Sequence, residues 1–221
     1  MPVSKAPQPE SYDLRDLMHC VRCPRLAAHH AEVRRRFAGY HALPVGAWGP
    51  TSARMLIVGL APGLHGATRT GRAFVGDASG DFLFASLFRQ GLATASQPQE
   101  AKLLNVRITN VVKCLPPGNA PIRDELANCS GYLRQEVNLF CPARSRRPRV
   151  IICLGGVAHK AVCRMLGEPS REFVHGEQWR VRPRLTVLSS YHPSRLNVNT
   201  KRLTTGMLDS VLHQAVGLLD E

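Results

Sequence analysis

Met55-Leu56-Ile57-Val58-Gly59-Leu60-Ala61-Pro62-Gly63-Leu64-His65-Gly66 passes directly from four apolar residues into a loop built on glycine and proline. The apolar run is short enough to be a strand buried on both faces, as parallel sheets require. A loop that follows such a strand lies in the crevice beyond the carboxyl ends of the sheet, where α/β folds bind their ligands. The same layout recurs at Leu185-Thr186-Val187-Leu188, which leads into Ser190-Tyr191-His192-Pro193-Ser194. Two loops so placed can converge on one pocket.

Outward from these runs, strands are expected at 54–59, 106–112, 149–154 and 185–189. Helix-like stretches fall at about 12–20 and 24–37, then 80–90, 122–139, 156–166 and 203–219. In the last of these, Leu203, Met207, Val211, Leu212, Leu218 and Leu219 recur at helical spacing and read as core. Strands alternating with helices predict an α/β fold, a single-domain three-layer α/β/α arrangement around a central, mainly parallel four-stranded sheet. Residues 1–10 read as a mobile start and 11–221 as one domain.

A chain of 221 residues that is 44% hydrophobic buries a substantial core. No apolar run approaches the roughly 18 to 20 residues that cross a bilayer. Met1-Pro2-Val3-Ser4-Lys5 is not followed by the apolar core of a signal peptide, so a cytoplasmic protein with no membrane partner is expected, working as a monomer. Lys and Arg number 29 against 16 Asp and Glu, a net charge of +13 that favours a polyanionic partner. Arginines cluster at Arg34-Arg35-Arg36, at Arg144, Arg146, Arg147 and Arg149, and at Arg180, Arg182 and Arg184. Guanidinium forks grip phosphate oxygens in pairs, which makes nucleic acid the leading partner.

Seven cysteines without an export signal do not suggest a disulfide framework. Cys20-Val21-Arg22-Cys23 is a CxxC, and Cys114 and Cys129 form a second, wider pair. Four thiolates brought together hold either tetrahedral zinc or an iron–sulfur cluster, and spacing does not separate the two. Cys153 and Cys163 read as buried hydrophobes, while Cys141 is the one substitute for Cys129.

The first loop allows close backbone approach at Gly59 and Gly63, stiffened by Pro62, and ends at Phe74 and Asp77. One carboxylate and one aromatic suit hydrolysis better than covalent catalysis. His192, held by Pro193, is placed to donate a hydrogen bond to a developing anion. The glycine spacing is wrong for a dinucleotide loop, and neither a phosphate-binding lysine loop nor a clustered acidic metal site is present.

Four blocks together resemble the uracil-DNA glycosylase superfamily, in particular its family 5, or type B, branch. They are Gly59-Leu60-Ala61-Pro62-Gly63-Leu64-His65-Gly66-Ala67-Thr68-Arg69-Thr70-Gly71-Arg72, Phe74-Val75-Gly76-Asp77-Ala78-Ser79, Thr109-Asn110-Val111-Val112-Lys113-Cys114-Leu115-Pro116-Pro117-Gly118-Asn119, and Tyr191-His192-Pro193-Ser194-Arg195-Leu196-Asn197. The likeness runs from Cys20 to about Thr205. Thr68 stands where many relatives have asparagine, and Arg195 replaces a common proline.

The resemblance implies a monofunctional DNA glycosylase that hydrolyses the N-glycosidic bond of uracil, and of other deaminated bases such as hypoxanthine, in DNA. It implies a four-iron four-sulfur cluster on Cys20, Cys23, Cys114 and Cys129. Asp77, His192 and Asn119 match catalytic positions, with Asp77 orienting water because Leu60 is apolar where family 4 enzymes are acidic. Phe74 matches the residue that stacks on the flipped base. Gly59, Ala61, Pro62, Gly63, His65 and Asn110 are implied to bind substrate, and Leu196 to wedge into the vacated stack. With the loops read as containing no lysine, strand cleavage through a Schiff base is not expected. A non-catalytic, zinc-containing nucleic-acid-binding module is the alternative, and it leaves the paired loops without a task.

Overall fold

The computed structural model describes residues 13–142 and 145–220; the expected mobile start at 1–10 and Arg144 lie outside them. Five strands form one sheet: β1 (Met55–Gly59), β2 (Val106–Asn110), β3 (Arg149–Leu154), β4 (Gln178–Arg182) and β5 (Leu185–Ser190). Their spatial order is β2-β1-β3-β5-β4. All neighbours are parallel except β4, which runs antiparallel to β5. Met55 pairs with both Val106 and Val150, so β2, β1 and β3 start level with one another.

The helices are α1 (Pro24–Arg36), α2 (Ala67–Thr70), α3 (Ala78–Arg89), α4 (Arg123–Phe140), α5 (Gly156–Leu166), α6 (Arg195–Asn199) and α7 (Thr205–Gly217). Every residue of β1 is buried, and its side chains alternate between two cores. Met55 and Ile57 join Val150, Ile152, Leu83, Phe84, Leu208 and Leu212, which places α3 and α7 on one face. Leu56 and Val58 join Ile151, Val187, Leu26, Leu133 and Val162, which places α1, α4 and α5 on the other. Each such buried aliphatic side chain contributes about 1.5 to 3 kcal/mol. The three-layer arrangement read from the sequence is therefore present.

The sheet has one strand more than the four expected. In Gln178-Trp179-Arg180-Val181-Arg182 only Trp179 is buried, because β4 is an edge strand with one wet face. Arginines on such an edge discourage pairing with other chains. The same polar residues hid the strand in the sequence. The stretch expected to be helical at 12–20 is a 3-10 turn, Leu14–His19. Among the described residues no helix is long and apolar enough to cross a membrane.

From β1 the chain passes through α3 to β2 at the sheet edge, then through α4 back across β1 to β3. That reversal opens a crevice above Gly59, Asn110 and Ser190, the last residues of β1, β2 and β5.

Candidate active site

A cavity of about 530 Å³ fills this crevice. Ala61, Pro62, Gly63 and His65 line it from the first loop, with Phe74 and Asp77 from the far end of that loop. Asn110 enters from β2, Asn119 from the 3-10 turn Pro117–Asn119, and His192 from the loop after β5. The residues expected in the site thus meet, with two exceptions. Gly59 lies beneath the floor, and Leu196 stands outside the wall on α6, 72% exposed.

Gly59 is a glycine for steric reasons. A β-carbon there would come within 2.5 Å of Asn110 Oδ1 and 2.6 Å of the Phe74 ring. Phe74 itself has φ 59, a left-handed conformation that costs a bulky residue roughly 1 to 3 kcal/mol. The surrounding loop enforces it. Thr70 Oγ1 donates to Val75 O (2.9 Å), Trp48 Nε1 to Ala73 O (2.9 Å), and the Arg69 guanidinium to His65 O (2.8 Å) and Gly76 O (3.0 Å). Asn119 is also left-handed, at φ 57, which asparagine tolerates better than most residues.

Asp77 caps α3: its Oδ1 accepts from Gly80 N at 3.0 Å. Its Oδ2 extends over the first loop, where a β-carbon on Gly63 would lie 3.1 Å away and one on Gly66 would collide with it. One oxygen is held by the helix and the other packs over the loop, and the residue lines the cavity. Asp81, one turn along α3, has its carboxyl pushed up by burial and by the charge of Asp77.

Burial drives His192 down to about 4, against the pull of Asp77, so its imidazole is neutral at pH 7. The ring lies 5.6 Å from that of Phe74, centroid to centroid. Asn197 Nδ2 and Ser194 N both donate to His192 O at 2.8 Å, fixing the loop. Asn110 Oδ1 is buried without a hydrogen-bond partner. An orphaned buried acceptor is costly unless a ligand satisfies it.

Three features escaped sequence reasoning. Tyr40 Oη hydrogen-bonds His65 Nδ1 at 2.9 Å, orienting a ring on the cavity wall. Lys113, inside the third block, contradicts the expectation of loops without lysine. It is fully buried and does not line the cavity: its Nζ donates to Thr109 Oγ1 (2.7 Å), Asn110 O (2.6 Å) and Glu136 Oε2 (2.6 Å). No local signal marks Glu136, which lies 23 residues away on α4.

The third feature is the position of the arginines. Arg149 opens β3, Arg182 ends the antiparallel β4 and Arg184 precedes β5, all at the end of the sheet opposite the cavity. The cation that lines the cavity is instead Arg195, and Arg202 holds its guanidinium 4.7 Å over the ring of Tyr191, the residue before His192.

Cys20 and Cys23 both precede α1, Cys114 follows β2 and Cys129 lies on α4. The Cys114 thiol is pushed well up by burial and then by Cys129, Cys20 and Cys23, so the four sulfurs feel one another. Burial raises Cys129 to about 11. Thiols raised in this way stay protonated on their own, and a cationic group is needed to hold them as thiolates. Among the described residues no three His, Cys, Asp or Glu side chains close on the position of a single ion. Cys141, twelve residues beyond Cys129 at the end of α4, is about 18 Å further along the axis and is bonded by Arg182. It is not a fourth member of this group.

The family model described as the uracil DNA glycosylase superfamily matches residues 47–215. A type-5 uracil-DNA glycosylase of Pyrobaculum aerophilum is 43% identical over 207 residues, covering 90% of this chain and 88% of the relative. One from Mycobacterium leprae is 42% identical, covering 89% and 90%, and one from Thermus thermophilus is 38% identical, covering 91% and 94%. The chain belongs to the uracil DNA glycosylase superfamily.

Proposed function

We propose that this chain removes uracil from DNA by hydrolysing the bond between base and deoxyribose. The observation that carries the reading is the meeting, in one cavity, of a free carboxylate oxygen, a neutral imidazole, an orphaned amide oxygen and an aromatic face. The zinc-module alternative leaves all four unused.

The glycosidic bond is unreachable inside a duplex, so the nucleotide leaves the stack. Exposed Leu196, beside the cavity mouth, enters the gap, while Arg195 and Arg202 hold phosphates. The base slides against Phe74, and Asn110 Oδ1 accepts from its imide N–H. Asn119 supports the base from the opposite wall. His192, being neutral, donates a hydrogen bond to the oxygen on which charge develops and does not transfer a proton. Asp77 Oδ2 orients the attacking water and balances the cationic sugar. Removing one such preorganised contact costs on the order of 3 to 4 kcal/mol. Lys113, locked to Glu136, cannot form a Schiff base, so no strand cleavage accompanies excision. The cavity also has room for a purine, which supports action on hypoxanthine.

Cys20, Cys23, Cys114 and Cys129 would hold a four-iron four-sulfur cluster, whose contribution is to tie the start of α1 to α4. Residues 11–221 then work as one domain, as a monomer, in the cytoplasm where the DNA lies. Incubation with a uracil-containing duplex, followed by cleavage of abasic sites, tests the reading. Abasic sites at uracil positions support it, and intact DNA overturns it.

A further inference from the structure

The end of the sheet remote from the cavity is a floor of arginine. Val150 N donates to Arg54 O and Arg149 N to Arg184 O, both at 2.9 Å, which sets Arg54, Arg149 and Arg184 side by side on adjacent strands. Strands are about 4.8 Å apart, so these residues lie within one screening length, about 10 Å, of each other. Arg180 and Arg182 join them from the edge strand, and Arg146 and Arg147 from the segment before β3. Arg146, Arg147, Arg180, Arg182 and Arg184 are all exposed. Among the described residues, neither Arg146, Arg147 nor Arg184 has a carboxylate partner.

Between these arginines and the end of α7 lies a second cavity of about 290 Å³, walled by Arg149, Arg180, Arg184, Thr186, Pro148 and Pro183. Arg149 is preset within it: Nη1 donates to Ala53 O (2.8 Å), Nε to Ser145 Oγ (3.2 Å), and the guanidinium rests 5.2 Å over the Phe140 ring. Burial lowers its pKa, opposed by Cys141 and helped by the like charges of Arg54 and Arg147. Arg184 has φ 74, where glycine or asparagine would be unstrained.

The chemistry favours phosphodiester over peptide. The cations at this floor are arginines, whose planar forks match phosphate oxygens, and its walls offer no aromatic anchor of the kind protein interfaces rely on. β3 alone spans about 16 Å from Arg149 to Leu154, so a duplex over the catalytic cavity does not reach this floor. We propose that the amino end of the sheet is a second phosphate-binding surface, holding a separate nucleic-acid segment while the cavity engages the first. The first half of that statement is independent of the excision reading, and the second half rests on it. Such a surface keeps the protein near DNA as it passes between segments.

The test uses two short uracil-free duplexes, one carrying a fluorescence donor and the other an acceptor, with the full chain and the variant Arg146→Ser/Arg147→Ser/Arg184→Asn. Asparagine keeps a residue suited to φ 74, and the three exposed positions leave the core untouched. The wild type is expected to bring the duplexes together, and the variant to lose that transfer. The salt slope of log K for DNA should become shallower by about 2.7, for three lost phosphate contacts. Single-turnover uracil excision should stay within about twofold, because the cavity is unchanged. Absence of bridging by the wild type, or an unchanged slope in the variant, overturns the proposal. So does a variant that loses polyglutamate binding while it still bridges, since the surface then serves acidic protein. Failure of excision in the wild type with bridging intact sinks the proposed function instead.

Discussion

Asp77 Oδ2 occupies the space that a side chain on Gly66 would need. The glycine of the first loop and the carboxylate at its end are therefore one device, in which backbone without a side chain makes room for a charge. Gly66→Ala should displace the carboxylate and lower single-turnover excision about 100-fold, close to the loss of a preorganised transition-state contact. Unchanged excision would show that Asp77 acts elsewhere.

Acid should destabilise the protein in a defined window. His30 is buried and its Nε2 accepts from Leu115 N at 2.9 Å, so the folded state keeps it neutral; burial drives it from 6.5 down to about 4. His192 behaves alike. The unfolded chain binds protons that the folded chain refuses, so this stability is fully present above about 6.5 and is lost as pH falls towards 4. For His30 the loss is on the order of 3 kcal/mol. Melting temperature measured across that range should fall, and His30→Gln should flatten the fall. A flat wild-type curve would contradict this.

The Lys113–Glu136 pair is buried at both ends, and Lys113 Nζ also holds the carbonyl of Asn110. Glu136→Ala leaves a lysine without its counter-charge and should cost about 3 to 5 kcal/mol. Denaturant unfolding measures it directly. A loss below about 1 kcal/mol would mean that the pair is open to water.

The thiols make an analytical prediction. Cys20→Ala, Cys114→Ala and Cys129→Ala should each lose iron, while Cys141→Ala should keep it, because Cys141 lies about 18 Å from Cys129 along α4. Iron content and melting temperature of each purified variant decide the matter. Iron lost in Cys141→Ala but kept in Cys129→Ala would reverse the assignment.

Much of this was legible in the sequence because short-range patterns carried it. Met55-Leu56-Ile57-Val58 ran into glycine, and a strand buried on both faces followed with its loop at the ligand end. Gln178–Arg182 was not legible, since one buried tryptophan among polar residues looks like a loop until β5 is beside it. The arginine clusters were legible as runs of cations but not in place: the sequence shows that Arg149 opens a strand, and only the parallel register shows that this puts it opposite the cavity. The sequence shows Asp77 at the end of the first loop, and the structure adds that it caps α3 through one oxygen while the residue lines the cavity.

That double role makes Asp77→Asn the most direct measurement of the central claim. Asparagine caps a helix nearly as well as aspartate but lacks the charge that favours a cationic sugar. Single-turnover excision of uracil should fall by well over tenfold, with melting temperature and DNA binding unchanged. Wild-type excision in Asp77→Asn would contradict the account and leave Asp77 as a cap alone.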